Sequence, residues 1–514
     1  MFGIPGGGSS LDLIEAAAQQ GIDFHLTKRE DSAVMMAAVT AELSGTPGVA
    51  FTTKGPGTAN AVNGVAYAAL DRAPVVLFTD GFSPNLQSYV THQVFDQKAM
   101  LEPLTKGHGL LASDDPAAEF DRLLTQANRS PSGPVHVELT GTIARKEITL
   151  TPPPKPASYE QLTNKTAAEQ AGALLAAAKR PVIVVGLEAR DPVVAQQIEA
   201  LVSHIDCPVL VTYKAKGVVA DDHANLVGIF TGGKTEQPCV SQADLIVLVG
   251  MDPVELILQP WAYDAPVLDI ALVRHSPHYT ASVAAIHGPL AAALTILRDH
   301  ATRSNWKANE IAVLKREMTA RLAFPSAAKL NPQSIVELAQ AASTSRPRVT
   351  VDAGAHMISA TAFSRASEPM DLLISNGLAT MGFAVPAAVA AALEDPERGA
   401  LAFTGDGGFM MCASELALAA QCGAKMVTVV FNDGALSLID IKQQSRGLEQ
   451  RGTRWPRLNF AKVAEGFGCR AWQVDSVETY QSALRDAFAG DGPALIDVVF
   501  DPQGYAEQFS ALRG

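Results

Sequence analysis

The chain has 514 residues, of which 47% are hydrophobic, enough to bury large cores, and its length predicts three domains. Its 53 acidic residues outnumber its 40 basic residues, the formal net charge is -13, and no basic run occurs, which argues against nucleic acid or an anionic membrane surface as a partner. The five cysteines lack C-x-x-C spacing and no apolar run reaches membrane-spanning length, so we expect a cytoplasmic protein without disulfides, a zinc site or a membrane segment.

Residues 1–150 alternate predicted strands and helices and make up the first predicted α/β domain. Residues 22–27 are typical of a short strand and residues 32–43 of a helix, with Glu30 at the junction between them. Acidic residues are favoured in the first turn of a helix, so Glu30 on its own indicates no more than a helix start. A Gly-Pro-Gly turn at residues 55–57 follows the next predicted strand.

A proline-rich segment at residues 151–156 follows a predicted strand at residues 134–139 and marks a domain boundary, because such a linker is stiff. Residues 160–300 make up the second predicted domain, in which apolar strands at residues 180–186 and 244–250 alternate with helices in a Rossmann-like manner. Their glycines do not complete a G-x-G-x-x-G motif, so the sequence gives no support for a nucleotide there.

The third predicted domain, residues 325–514, contains two apolar strands that each lead into a carboxylate. The strands are followed by the runs Gly405-Asp406-Gly407-Gly408 and Asn432-Asp433. Parallel neighbouring strands would bring Asp406 and Asp433 together at the carboxyl edge of one sheet. The glycines let the backbone approach a phosphate, and the next helix offers free N–H groups. Because Mg²⁺ prefers oxygen ligands and shares them with phosphates, the pattern predicts a magnesium diphosphate site.

Residues 408–431 separate Gly407 from Asn432, a spacing that resembles the thiamine diphosphate signature. The junction at Glu30, the turn at residues 55–57 and the segment at residues 375–388 match the same family in the same order. The chain therefore resembles the thiamine diphosphate-dependent 2-oxo acid decarboxylases and carboligases, most closely the acetolactate synthase large subunit, and it is also similar to benzoylformate decarboxylase. This resemblance covers nearly the whole chain. It implies an α/β fold of three doubly wound parallel-sheet domains: pyrimidine-binding, central Rossmann-like and diphosphate-binding.

The resemblance implies magnesium ligands from Asp406, Asp433 and the carbonyl oxygen of Ala435. Many relatives carry Asn at the position of Asp433, so the extra charge here should strengthen the demand for a divalent cation. Met381 matches the bulky residue that bends the cofactor, and Ala379 matches the residue whose carbonyl contacts its amino group. The full set implied to bind the cofactor is Gly354, Ala355, His356, Ala379, Met381, Gly405, Asp406, Gly407, Gly408, Asn432 and Asp433.

Glu30 matches the catalytic glutamate of the family, which hydrogen-bonds the pyrimidine ring of the cofactor and so activates it. A second group of residues is implied to face the substrate, and Lys54 stands where relatives usually carry Ser. His92 replaces a Phe of the acetolactate synthase pattern and is interpreted either as an acid or base or as a solvated surface residue. Lys54 is likewise open to a second reading, with its side chain directed to solvent. The predicted substrate residues are Gly7, Lys54, His92, Gln93 and Leu436.

The resemblance implies decarboxylation of a 2-oxo acid followed by ligation to a second carbonyl compound. Arg29–Glu30 in place of His-Glu resembles decarboxylases that act on anionic 2-oxo acids such as sulfopyruvate or phosphonopyruvate, so simple decarboxylation stays open. A silent paralogue that binds the cofactor without turnover is a third alternative.

FAD is doubtful, because the usual pattern is missing from residues 230–234. Relatives carry a helix and a strand ahead of the turn at residues 3–8, so the amino terminus looks shortened. Family members share sites between subunits, which implies a homodimer or homotetramer.

Overall fold

The computed structural model describes residues 1–111, 115–148, 165–257, 259–276, 278–343 and 345–513. It contains three six-stranded sheets whose strand pairs are all parallel, with helices between the strands. This confirms the predicted α/β fold with three parallel sheets. The proline-rich boundary at residues 151–156 lies outside the described residues. Within the described part of the chain, no helix combines the length and the apolar character that a membrane crossing needs.

The first sheet has the strand order β2-β1-β3-β4-β6-β5. Its elements are β1 (Phe2–Ile4), α1 (Ser9–Gln19), β2 (His25–Leu26), α2 (Glu30–Ser44), β3 (Gly48–Thr52), α3 (Pro56–Leu70), β4 (Val75–Asp80), α4 (Pro84–Gln87), α5 (Gln97–Leu101), β5 (His108–Gly109), α6 (Pro116–Asn128), β6 (Val135–Leu139) and α7 (Gly141–Ala144). Helix α2 is buried along most of its length, as its Ala- and Met-rich sequence predicts, because it lies against both α3 and a helix of the third sheet. It ends at Gly45, whose φ of 71° is the left-handed conformation of a helix C-cap.

The second sheet has the order β12-β11-β10-β7-β8-β9. Its elements are α8 (Lys165–Ala177), β7 (Pro181–Val185), α9 (Pro192–Ile205), β8 (Val209–Val211), β9 (Leu226–Ile229), α10 (Gln237–Val240), β10 (Leu245–Val249), β11 (Val267–Ala271), β12 (Ala284–His287), α11 (Leu290–His300) and α12 (Ala308–Leu322). Strands β7 and β10 are completely buried, which explains their continuous Val, Ile and Leu runs. Both coincide with the strands predicted at residues 180–186 and 244–250.

The third sheet has the order β14-β13-β15-β16-β18-β17. Its elements are α13 (Pro332–Ala342), β13 (Arg348–Val351), α14 (His356–Phe363), β14 (Leu372–Ile374), α15 (Ala384–Glu394), β15 (Ala400–Gly405), α16 (Asp406–Cys412), α17 (Leu416–Cys422), β16 (Met426–Asn432), α18 (Ser437–Ser445), α19 (Phe460–Gly466), β17 (Arg470–Val474), α20 (Val477–Ala489), β18 (Ala494–Val499) and α21 (Tyr505–Arg513). Helix α15 packs on α2, so the first and third sheets share one hydrophobic core.

Candidate active site

The two predicted carboxylates lie at the carboxyl edge of the third sheet. Strands β15 and β16 are parallel neighbours with Gly405 opposite Phe431, so Asp406 and Asp433 follow the two strand ends side by side. Asp406 is also the first residue of α16. The strand-turn-helix arrangement predicted from the glycines and the apolar runs is therefore present.

Asp406 is buried, and backbone N–H groups on both sides of the site donate to it. Oδ1 accepts from Gly407 N at 2.8 Å and Oδ2 accepts from Gly434 N at 2.7 Å. Burial, followed by the neighbouring charge of Asp433, raises the pKa of Asp406 to about 7. A divalent cation between these carboxylates would remove the repulsion.

Asp433 accepts hydrogen bonds from Ser437 Oγ and from Ala435 N, the latter at 3.2 Å. Burial raises the pKa of Asp433 to about 6, although the bond from Ser437 opposes the shift. Neither Asp406 nor Asp433 forms an ion pair with a described lysine, arginine or histidine. The charge of nearby Arg457 acts to lower the pKa of Asp433, but it forms no ion pair with either carboxylate. The pair is thus a set of hard oxygen donors that suits Mg²⁺.

The missing side chain of Gly407 opens a space that larger residues line. A Cβ built on Gly407 would lie 2.9 Å from Leu436 Cδ2, 3.3 Å from Met381 Cε and 3.3 Å from the Trp455 ring. Leu436 and Met381, both predicted from the sequence, are therefore brought to Asp406 and Asp433, the pair called the metal motif because the sequence predicts that it binds magnesium. Trp455 was not predicted, and its indole Nε1 is buried without a partner among the described residues.

His356 lies under the first turn of the motif. A Cβ on Gly405 would be 3.2 Å from its Nδ1, and one on Gly354 would be 2.8 Å from its ring, so both glycines give the imidazole room. The ring stacks on Phe431 with centroids 5.1 Å apart. Burial lowers the pKa of His356 to about 4, so the ring is neutral at pH 7, and Nε2 has no partner among the described residues. Ala355 is buried directly before it.

The segment that carries Ala379 and Met381 is a turn between β14 and α15. Ala379 has a φ of 53°, a left-handed conformation that costs a non-glycine residue roughly 1–3 kcal/mol and persists only where the surroundings enforce it. Asp352 fixes the end of the turn, because its carboxylate accepts from Gly382 N and Phe383 N, both at 3.1 Å. Gly408 packs on the same carboxylate, since a Cβ there would lie 2.3 Å from Asp352 Oδ2.

The side-chain amide of Asn432 is bound to residues other than Asp406 and Asp433. Its Nδ2 donates to Leu458 O and to Asp497 Oδ1, both at 2.8 Å. Only its Oδ1 is buried and without a partner among the described residues. The side chain therefore orients the strand end through Asp497, and Asp433 is the residue whose carboxylate faces Asp406.

Glu30 is the first residue of α2 and is 9% exposed. Its Oε2 accepts from Asn60 Nδ2 at 3.3 Å, and its Oε1 would lie 3.5 Å from a Cβ on Gly57. The Gly-Pro-Gly turn thus lies against Glu30. Within the described chain no hydrogen bond or ion pair joins Glu30 to Asp406 or Asp433.

The predicted substrate residues of the first sheet are more exposed than Glu30. Gly7 is exposed, and a Cβ placed on it would meet no described atom within 4 Å. Lys54 places Nζ 4.8 Å from the centroid of the Phe82 ring. His92 and Gln93 are exposed, and Gln93 adopts a φ of 59° where its backbone packs on the turn.

Two buried residues that the sequence did not single out hold the site elements in place. Gln97 Oε1 accepts from Gly55 N at 3.1 Å and so fixes the Gly-Pro-Gly turn. Glu415, which follows α16, accepts from Lys28 N at 3.1 Å and so holds the start of α2. Both contacts join residues distant in the sequence, so only a weak local signal exists for either.

Three family models match the chain in succession. They are the N-terminal thiamine pyrophosphate binding domain at residues 1–100, the central domain at residues 168–294 and the C-terminal thiamine pyrophosphate binding domain at residues 352–498 of the thiamine pyrophosphate enzymes. The chain belongs to the thiamine pyrophosphate enzyme family. Thiamine pyrophosphate is the same compound as thiamine diphosphate, so the family expected from the motifs is confirmed.

Relatives of this thiamine pyrophosphate enzyme align over almost its whole length. It is 26% identical to "Acetolactate synthase" of Bacillus subtilis, an alignment that covers 98% of this chain and 90% of the relative. It is 28% identical to "Acetolactate synthase, catabolic" of Raoultella terrigena, with 98% and 92% covered. It is also 28% identical to "Acetolactate synthase isozyme 2 large subunit" of Escherichia coli, again with 98% and 92% covered.

The residues of this thiamine pyrophosphate enzyme fit a magnesium diphosphate group. Asp406 is buried and Asp433 partly buried, neither forms an ion pair with a described cation, and buried polar atoms of His356, Asn432 and Trp455 lack a partner among the described residues. Each of these features is costly in an apoprotein and is satisfied by a bound ion or polar ligand.

Proposed function

We propose that this protein is a thiamine diphosphate- and Mg²⁺-dependent carboligase, which decarboxylates a 2-oxo acid and joins the remaining fragment to a second carbonyl compound. The observation that carries the proposal is the pair of neighbouring carboxylates, buried Asp406 and partly buried Asp433, beside the space at Gly407 that Met381 and Leu436 line. The acetolactate synthase relatives support the carboligase over other reactions of the family.

In this proposal Asp406, Asp433 and the carbonyl oxygen of Ala435 hold Mg²⁺, and the N-terminal turn of α16 donates N–H groups to the diphosphate. The carbonyl of Ala435 suits the role because it shares its peptide plane with Leu436 N, which donates to Thr453 O at 2.7 Å and so fixes that plane. Gly354, Ala355 and His356 support the phosphates from the next strand end. His356 remains neutral, so it contributes a donor and no charge.

Bound thiamine diphosphate supplies a carbon nucleophile for the oxo group and an electron sink for the loss of carbon dioxide. Glu30 holds a proton at the pyrimidine ring, a role supported by its burial and by its freedom from any described ion pair. Met381, Leu436 and Trp455 line the space with apolar atoms and exclude water, so charges inside it are weakly screened.

We propose a homodimer or homotetramer in which Glu30 of one chain serves the metal motif of a second copy. Two apolar side chains of α16 support this, because Met410 and Met411 are 43% and 50% exposed directly beyond the metal motif. On the first sheet, Tyr89 is 70% exposed in the segment that carries His92 and Gln93. Association would cover both surfaces and bring the two halves together.

A simple decarboxylase is the second candidate, and Lys54 is the observation that favours it. This lysine forms no ion pair with a described carboxylate and lies three residues before Gly57, which contacts Glu30. A cation there suits a substrate with a second anionic group. Arg29 gives less support, since it is paired with Asp31 at 2.9 Å.

FAD has no part in the proposal. At the carboxyl edge of the second sheet, Glu255 Oε2 accepts from Leu187 N at 2.7 Å and would lie 2.7 Å from a Cβ on Gly186. Glu255 thus occupies the strand end beside Gly186, and the usual FAD pattern is missing from residues 230–234. The domain limits at residues 1–150, 160–300 and 325–514, and the cytoplasmic location, remain predictions.

The test is carbon dioxide release from a panel of 2-oxo acids, with Mg²⁺ and thiamine diphosphate, in the presence and absence of a second aldehyde or 2-oxo acid. Release together with a coupled product supports the carboligase. Release with only an aldehyde product supports the simple decarboxylase. Cofactor binding without release from any acid would support the silent paralogue and overturn the proposal.

A further inference from the structure

The turn at residues 375–381 contains the two cofactor-facing residues Ala379 and Met381, yet its start is held by a residue of the first sheet. Asp71 directly follows α3 and is fully buried. Its Oδ1 accepts from Asn376 N at 2.8 Å and from Gly377 N at 3.3 Å, and its Oδ2 accepts from Leu378 N at 3.4 Å and Ser375 Oγ at 3.3 Å. One carboxylate thus binds three successive backbone N–H groups of the turn.

The turn is also in direct contact with α3. A Cβ on Gly377 would lie 2.2 Å from Leu70 O, so no side chain fits between the turn and the end of the helix. Asn63 on α3 exchanges side-chain hydrogen bonds with Thr380, at 3.1 and 3.3 Å. Helix α3 therefore determines where the turn lies.

Ala379, the residue with the left-handed backbone, lies between two segments that carboxylates hold in place. Asp71 binds the backbone before Ala379, and Asp352 binds the backbone after Met381. A left-handed alanine relaxes unless both flanks are held, because the conformation is unfavourable for a residue with a Cβ. Removing either carboxylate should therefore let the turn shift and move Met381.

The second sheet contributes a buried cation to Asp71. Lys214, which follows β8, donates from Nζ to Asp71 Oδ1 at 3.4 Å and to Glu42 Oε1 at 2.9 Å. Glu42 also accepts from Arg190 Nη1 at 2.7 Å. Two anions and two cations thus balance at the meeting point of the three sheets, and each of these ions is at most 10% exposed. Partly dismantling such a network leaves an uncompensated buried charge.

We propose that Asp71 and Lys214 are positioning residues for the cofactor-facing turn: Asp71 fixes its backbone, and Lys214 fixes Asp71 from the second sheet. The inference rests on the proposed function, since it concerns the cofactor that Ala379 and Met381 face. Neither residue touches the reacting atoms. Their effect passes through the position of Met381 relative to the bound ring system.

The experiment uses the full-length protein with Mg²⁺ and thiamine diphosphate. Three quantities are measured for each variant: the dissociation constant of the cofactor by calorimetry, the rate of hydrogen–deuterium exchange at C2 of the bound cofactor by NMR after quenching, and the midpoint of thermal unfolding. A purely structural role changes the midpoint alone. A positioning role changes the exchange rate, because that rate depends on how the bound rings are held.

We expect Asp71→Asn and Lys214→Met to slow C2 exchange by about 10- to 100-fold, the size expected when reacting groups are misplaced by up to an ångström. The dissociation constant should stay within about threefold, because the metal motif is untouched. Lys214→Arg retains the charge, so its exchange rate should be much closer to that of the unaltered protein than the rate of Lys214→Met. Gly377→Ala changes no charge and should slow exchange as well, since its Cβ displaces the turn from α3.

Asp252→Asn is the matched control. Asp252 is also buried and pairs with Arg72, the residue next to Asp71, at 2.6 Å, but it does not bind the turn. We expect it to lower the unfolding midpoint without slowing exchange. If Asp71→Asn lowers the midpoint like this control but leaves exchange at the wild-type rate, the inference is wrong. If the unaltered protein binds no thiamine diphosphate, the proposed function fails instead.

Discussion

The carboxyl edges of the first and third sheets differ in how complete they are within one chain. At the third sheet Asp406 and Asp433 follow neighbouring strand ends, and Met381 and Leu436 line the space at Gly407 beside them. Of the described site residues predicted on the first sheet, Glu30 is buried, while Gly7, His92 and Gln93 are exposed. In the proposed function the first edge therefore needs a second surface, whereas the residues proposed to bind magnesium diphosphate all lie at the third edge. The two edges should fail in different ways when they are altered.

The largest effect on cofactor binding is expected at the third edge. Asp406→Asn removes one of the two carboxylates and should weaken Mg²⁺-dependent binding of thiamine diphosphate by at least about 100-fold, with turnover lost in proportion. Calorimetric titration with Mg²⁺ present and absent measures this. Asp497→Asn alters another buried carboxylate of the same edge and should leave binding much closer to wild type. Wild-type affinity in Asp406→Asn would exclude Asp406 as a metal ligand.

Glu30→Gln tests the first edge. Because the metal motif is intact, the dissociation constant for thiamine diphosphate should change little, whereas kcat should fall by roughly 10²- to 10⁴-fold, the usual contribution of an acid–base group. Carbon dioxide release measures kcat, and Asn60→Ala, which removes only the hydrogen bond to Glu30, should have a much smaller effect. A variant that releases carbon dioxide at the wild-type rate would remove Glu30 from the mechanism.

The third edge could be predicted well because its signals are local. Glycines beside Asp406 and apolar runs before both carboxylates are readable within short windows, and the parallel pairing of the two strands brings the carboxylates together. The supports of the site could not be predicted in this way. Asp71 binds Asn376 across 305 residues, and Glu415 binds Lys28 across 387 residues. Such pairs meet where the first sheet packs on the third, through the contact of α2 with α15 and of α3 with the turn at residues 375–381, and no local pattern encodes those contacts.

The edge of the second sheet differs from the other two, because a buried glutamate, Glu255, lies at its strand ends and accepts from Leu187 N. Burial raises the pKa of Glu255 from 4.5 to about 7. Between these values the unfolded chain loses a proton that the folded chain keeps, so this group makes the protein less stable as pH rises from 4.5 to 7. Glu255→Gln should therefore have a larger free energy of unfolding than wild type at pH 8, by up to about 3 kcal/mol, and a similar one at pH 4.5.

Calorimetric unfolding at both pH values measures this difference. The exposed Glu317→Gln serves as the control, with no pH-dependent difference expected. Equal midpoints for Glu255→Gln and wild type at pH 8 would show that Glu255 is not held as a buried carboxyl group.

The smallest effect is expected at Lys54. This variant tests whether a residue at the edge of the first sheet contributes to substrate selection. Lys54→Met keeps the apolar contact with Phe82 but removes the charge. For 2-oxo acids with a second anionic group, KM should rise about tenfold, corresponding to roughly 1.4 kcal/mol, while uncharged 2-oxo acids keep their KM. Lys98→Met, on the exposed face of α5, should change neither. An equal rise in KM for both substrate classes would mean that Lys54 supports the turn through packing, because only a charge contact distinguishes the two classes.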